Sequence, residues 1–93
     1  MAEWLATASA RYNNNMLTVD VRYFALFRER AGVDGERLTT DATTVADLYL
    51  ELEPRLGLAS NLVRAAVNGD FVQNDHPLAD GDEVVFVPPV AGG

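Results

Sequence analysis

Thr44-Val45-Ala46-Asp47-Leu48-Tyr49-Leu50-Glu51-Leu52-Glu53-Pro54-Arg55-Leu56 is the one long segment with a sustained helical period. Thr44 supplies a capping hydroxyl, with an acid, Asp47, three residues on. Val45, Leu48, Leu52 and Leu56 then fall on one face, which must be buried against something. Pro54 lacks an N–H and crowds the preceding turn, so the regular helix is expected to end or bend near Glu53. A single main helix can cover only one side of a sheet.

The flanking segments supply that sheet. Upstream, Leu17, Val19, Val21 and Tyr23 alternate with Thr18, Asp20, Arg22 and Phe24, a strand with its first set on a core. Phe24 breaks the pattern, being aromatic on the otherwise polar face. Residues 25–31 suit a short helical turn ended near Gly32, and Glu36 to Thr40 a second strand. Downstream, Asn68-Gly69 lies between Ala65-Ala66-Val67 and Phe71-Val72, a tight-hairpin signal because both residues tolerate positive φ. Asp80-Gly81-Asp82 is a further turn, feeding the apolar strand Glu83-Val84-Val85-Phe86-Val87. The order is strand, short helix, strand, main helix, hairpin, strand, which predicts an α+β domain with one helix on a mixed sheet.

Residues 1–15 fall outside this pattern. They are Ala-rich and polar, ending in Arg11-Tyr12-Asn13-Asn14-Asn15, and read as a flexible extension. Trp4 to Ala10 suits a short amphipathic helix. Met16 opens the patterned region and is the alternative start of the protein.

Composition excludes several classes of function. The 93 residues suffice for one domain, with 48% hydrophobic and 23% charged residues. No apolar run is long enough to span a bilayer, and the N-terminus lacks a secretory pattern, so the cytoplasm is the expected compartment. There is no cysteine, hence no disulfide, thiolate metal site or thiol relay within the chain. His76 alone cannot build a metal site. A net charge of −7 opposes nucleic-acid binding and favours a partner with a basic surface. All seven basic residues are arginine, so the chain offers no lysine for attachment to itself.

Catalytic constellations are absent too. Asp80, Asp82 and Glu83 flank a Gly turn, where solvated acids are common, and catalysis would need two acids with pKa values pushed apart across one substrate. Asp75-His76-Pro77 reads as a turn. Ser9 and Ser60 lack a triad setting, and no Gly-rich phosphate loop is present.

What remains is the tail, Pro88-Pro89-Val90-Ala91-Gly92-Gly93. Two prolines end strand pairing and hold the chain extended as it leaves the sheet. Ala91, Gly92 and Gly93 are small enough for a narrow channel, and the carboxylate of Gly93 is unhindered. On the final strand, Val84 and Phe86 share one face, while Glu83, Val85 and Val87 share the other. With Phe24 and Phe71, that second face is expected to expose apolar surface around the tail, a partner site.

Phe24-Ala25-Leu26-Phe27-Arg28-Glu29, Ala65-Ala66-Val67-Asn68, the run from Asp75 to Val84 and the run from Pro88 to Gly93 together resemble the small subunits of molybdopterin synthase. These are sulfur carriers of the ubiquitin-like β-grasp fold. The resemblance covers residues 16–93, with 88–93 as a protruding tail. It implies that the chain is a carrier and not an enzyme by itself. A ubiquitin-activating-like adenylyltransferase, using ATP-Mg²⁺, would adenylate Gly93, and a sulfur donor protein would displace AMP to leave a thiocarboxylate. The tail, Pro88 to Gly92, would then insert into the large synthase subunit, where sulfur passes to cyclic pyranopterin monophosphate to form the dithiolene. Two small and two large subunits would form the complex. No cofactor or metal is implied on this chain, and neither nucleic acid nor membrane. Phe24 and Phe71 fall at family contact positions, and so does Val87, where some members carry phenylalanine. Sulfur carriers of thiamine or cysteine biosynthesis and ubiquitin-like protein modifiers remain alternatives.

Overall fold

The computed structural model describes residues 16–89. The expected helix from Trp4 to Ala10, the extension 1–15 and the last four tail residues lie outside them. Five strands, β1 (Leu17–Tyr23), β2 (Gly35–Thr40), β3 (Arg64–Val67), β4 (Asp70–Val72) and β5 (Glu83–Val87), form one sheet in the order β2-β1-β5-β3-β4. β1 and β5 run parallel at the centre, and every other neighbouring pair is antiparallel. The two α-helices are α1 (Ala25–Ala31) and α2 (Val45–Leu56). A 3-10 turn at Ser60–Leu62, not foreseen from sequence, leads from α2 to β3.

The core lies between α2 and one face of the sheet. Val19, Val21 and Tyr23 of β1, Val84 and Phe86 of β5, and Ala65 and Val67 of β3 are buried against Val45, Leu48, Tyr49, Leu52 and Leu56 of α2. The alternation of β1 thus buries Val19, Val21 and Tyr23 of the expected set, with Leu17 half-buried against the core. Tyr49 packs edge-on to Phe86, with ring centroids 5.2 Å apart. Each fully buried aliphatic or aromatic side chain contributes about 1.5–3 kcal/mol relative to exposure. The apolar stripe of α2 is therefore the main attachment of helix to sheet.

Helix ends follow local chemistry. Thr44 is the N-cap of α2, its hydroxyl accepting the Asp47 N–H at 3.2 Å. Gly32 ends α1 at φ 81°, donating its N–H to the Arg28 carbonyl. The expectation that α2 ends near Glu53 needs correction: the helix continues through Pro54 to Leu56. Only one intrahelical bond is lost, between Pro54 and Leu50, which are both exposed. The last turn is held by other contacts. Gly57 donates to the Glu53 carbonyl at 2.7 Å, Arg30 of α1 donates to the Leu56 carbonyl at 2.9 Å, and the Leu56 side chain is buried.

The turns interlock at the end of the sheet where β5 begins. Asn68, at φ 52°, and Gly69, at φ 94°, make the hairpin expected between β3 and β4. The Asn68 amide nitrogen donates to Asp82 and its amide oxygen accepts the Glu83 N–H, each at 2.9 Å. Asp80 accepts the Thr18 N–H at 2.7 Å, and Asp82 accepts the Ala79 N–H at 2.8 Å. Asp80 and Asp82 are thus committed to turn geometry, while Glu83 of β5 pairs with Arg22. Among the described residues no group of His, Asp and Glu has metal-binding geometry.

Candidate functional site at the base of the tail

The site is set by the parallel pairing of β1 and β5. Parallel strands finish at the same end of a sheet, and the register places Tyr23 opposite Phe86. Both side chains enter the core, so the residues that follow, Phe24 and Val87, lie next to each other on the outward side. β5 pairs through Val87, opposite Arg64, and then stops. Pro88 and Pro89 follow outside any strand, as expected of residues without an N–H for the ladder.

An apolar groove surrounds this exit. One wall is Phe24, Ala25 and Leu26, the other is Val87, Pro88 and Pro89, and Leu58, just beyond α2, closes one side. Phe24 is 53% exposed although it is a large aromatic. It occupies the N-cap position of α1 with extended backbone and makes no side-chain capping bond. Phe24 is therefore not part of the core, consistent with its phase in the sequence.

The outward sheet face changes character along the strands. Toward the start of β5 it is polar: Arg22 pairs with Glu83 at 3.5 Å and Arg37 with Asp20 at 3.1 Å. These pairs are exposed and contribute little to stability. Further along, Val85 lies opposite Ala66, and Ala66 opposite Phe71, giving an apolar row across three strands. Neither helix covers this row, since both pack on the other side through Phe27 and the α2 stripe.

Phe71 shares that outward face and is 58% exposed. It does not line the groove at the tail. Its strand is three positions from β1, on the order of 14 Å at ordinary strand spacing. The Arg64 guanidinium lies 4.2 Å from its ring centroid, a cation–π contact. Phe71 belongs instead to a second, more polar groove with Gln73, Asp75 and His76. Phe24, Val87, Pro88 and Pro89 are thus brought together and Phe71 stands apart. Val90, Ala91, Gly92 and Gly93 lie outside the described residues. Sequence reasoning missed Ala25, Leu26 and Leu58 as groove residues.

On the core side of β1, Tyr23 is almost completely buried, and its hydroxyl donates to Glu36 at 2.5 Å. Arg55 donates to the Tyr23 hydroxyl at 2.9 Å and also pairs with Glu36. Burial, reinforced by the Glu36 carboxylate, pushes the Tyr23 hydroxyl well above its ordinary pKa. This cluster anchors the last residue of β1, immediately before Phe24.

Comparison with known proteins decides the family. The model of the ThiS family matches residues 21–93. The chain belongs to the ThiS family. The molybdopterin synthase sulfur carrier subunit of Escherichia coli (strain K12) is 41% identical over 80 residues, covering 81% of this chain and 99% of that protein. Among solved structures, the small archaeal modifier protein 1 of Haloferax volcanii superposes with a TM-score of 0.68 at 27% identity, covering 80% of this chain and 99% of that one. A chain from the complex of subunits 1 and 2 of molybdopterin-converting factor from Helicobacter pylori 26695 matches with a TM-score of 0.57 at 29% identity, covering 83% and 100%. The fold of this ThiS-family chain is the ubiquitin-like β-grasp. Among the described residues no helix is long and apolar enough to cross a membrane.

Proposed function

We propose that this protein is the sulfur carrier of molybdopterin synthase, with Gly93 as the carrier position. The observation that carries the reading is the exit of the tail. A folded domain hands its chain, through Pro88 and Pro89, out of an uncovered apolar groove, and its relative in Escherichia coli is a sulfur carrier subunit. A carboxylate is a poor electrophile, so Gly93 must be activated. Its oxygen attacks the α-phosphate of ATP in an adenylyltransferase, pyrophosphate leaves, and a glycyl adenylate forms. A sulfur donor then displaces AMP and leaves a thiocarboxylate. The large synthase subunit takes the tail, with Phe24 and Val87 docking at its mouth and Phe71 and Arg64 farther across the sheet. The thiocarboxylate sulfur bonds to a carbon of cyclic pyranopterin monophosphate, and water cleaves the bond between that sulfur and the Gly93 carbonyl, so sulfur stays on the pterin and Gly93 returns to a carboxylate. ATP-Mg²⁺ belongs to the activating partner, and the cytoplasm supplies both partners. Two carriers and two large subunits make the working complex.

The experiment is intact mass spectrometry of the full chain, incubated with activating enzyme, ATP-Mg²⁺ and a sulfur donor. A product in which sulfur replaces one terminal oxygen is expected, and it must be missing when Gly93 is deleted. Molybdopterin formation by the chain lacking Gly93 would refute the assignment. The likeness to an archaeal modifier favours a second reading, in which the Gly93 carboxyl ends in an amide bond on a substrate lysine. Conjugates that survive thiol treatment, found without any thiocarboxylate, would select it.

A further inference from the structure

Ala25 has φ 52°, the left-handed region that residues with a Cβ avoid. Its neighbours explain why the chain bends there. Tyr23 must finish β1 with its side chain in the core, and Phe27 must enter the same core from the first turn of α1. No linker separates the elements, because the Phe24 carbonyl already accepts the Phe27 N–H at 3.0 Å. The change of direction from strand to helix falls on Ala25. Glycine would adopt this backbone without strain. The sequence has alanine, and its side chain is exposed on the wall of the groove at the tail, between Phe24 and Leu26. Backbone strain of this kind, on the wall of an exposed groove, points to function.

We infer that Ala25 is a positioning residue for partner docking: its strained backbone fixes Phe24 beside Val87, and its methyl group forms part of the contact wall. This rests on the proposed function, with the large synthase subunit as the partner. The test pairs Ala25→Gly with Ala25→Ser in the full chain, reading both the melting temperature of the free protein and calorimetric binding to the large subunit. Ala25→Gly should raise the melting temperature by roughly 4 °C, as relief of strain in a small domain implies. It should also weaken binding by about fivefold or more. Ala25→Ser keeps the Cβ and should rescue binding to within about twofold. A merely structural Ala25 would leave affinity unchanged in the glycine variant, which overturns the inference. A glycine variant no more stable than wild type would overturn it as well, since the strain would not exist. Wild type that fails to bind the large subunit would overturn the proposed function first, and Ala25's part in that docking with it.

Discussion

Tyr23 lies directly opposite Phe86 in the parallel β1–β5 ladder. That one pairing converts two distant stretches of sequence into a site. Both aromatic side chains are buried, so both strands are fixed in depth and register where they end. The residues that follow, Phe24 and Val87, inherit the opposite direction and meet at the surface. The tail therefore starts from a rigid edge with apolar groups already arranged around it. Core packing and tail presentation are consequences of the same register.

Phe24→Asp should separate binding from stability. The side chain is half exposed and makes no capping bond, so unfolding free energy should change by less than about 0.5 kcal/mol. Affinity for the large synthase subunit should fall by more than about 1 kcal/mol, the threshold for interface residues that matter. Calorimetric titration beside urea unfolding gives both quantities. Equal binding with lost stability would place Phe24 in the core.

Gly57→Ala should cost about 2 kcal/mol. Glycine occupies φ 85° there, where a Cβ is strained by roughly 1–2 kcal/mol. A Cβ would also collide with the Arg30 guanidinium, which caps the Leu56 carbonyl. Because Arg30 is flexible it will move aside, and that hydrogen bond will be lost. Urea denaturation should show a lower midpoint with an unchanged slope. A neutral result would mean that Arg30 does not hold the end of α2.

Most of the fold could be read before the structure, because most of its signals are local. The alternation from Leu17 to Tyr23, the Thr44 cap and the Asn68-Gly69 turn each carry their own stereochemistry. Pro54 misled because the helix end depends on Arg30, a residue 26 positions away in sequence. The interlock of Asn68 with Asp82 was invisible for the same reason. At the site, the phase of Phe24 and the two prolines were legible. Leu58 was not, since only the packing of the loop after α2 brings it to the groove. Nor was the split between Phe24 and Phe71, which strand order alone decides. The positive φ of Ala25 left no trace in composition, since alanine suits a helix start and gives no warning of strain.

Alkaline pH should destabilise the protein through Tyr23. Its folded pKa is raised above the unfolded value near 10, by burial first and then by Glu36. The sign follows from proton binding: the folded state holds this proton more tightly than the unfolded chain. The contribution is complete below pH ~10 and falls away as pH rises further. Tyr49, also raised by burial, acts in the same direction. Tyr23→Phe should therefore flatten the loss of stability above about pH 10 without removing it. Its cost at neutral pH should be about 1 kcal/mol, for the hydrogen bonds to Glu36 and Arg55. Chemical melts from neutral pH up through the alkaline range check both points. An unchanged slope in the variant would mean that Tyr23 does not resist ionisation in the folded state.

Gly92→Val separates a tail that threads a channel from one that is inert. Glycine has no Cβ, so its backbone can approach channel walls and adopt φ values closed to other residues. Valine adds a branched isopropyl group and stiffens the chain at that point. Residue 92 lies three positions beyond Pro89, well past the last strand, so the melting temperature should hold within a few degrees. Adenylation or sulfur transfer should nevertheless slow by at least ~10-fold, equivalent to about 1.4 kcal/mol on a barrier. Steady-state assays with the activating enzyme, then single-turnover assays with the large subunit, locate the damaged step. Loss only in the first would place the narrow passage in the adenylyltransferase; loss only in the second would place it in the synthase. Normal charging and normal discharge would show that neither partner encloses residue 92, and the paired glycines would then have no steric role.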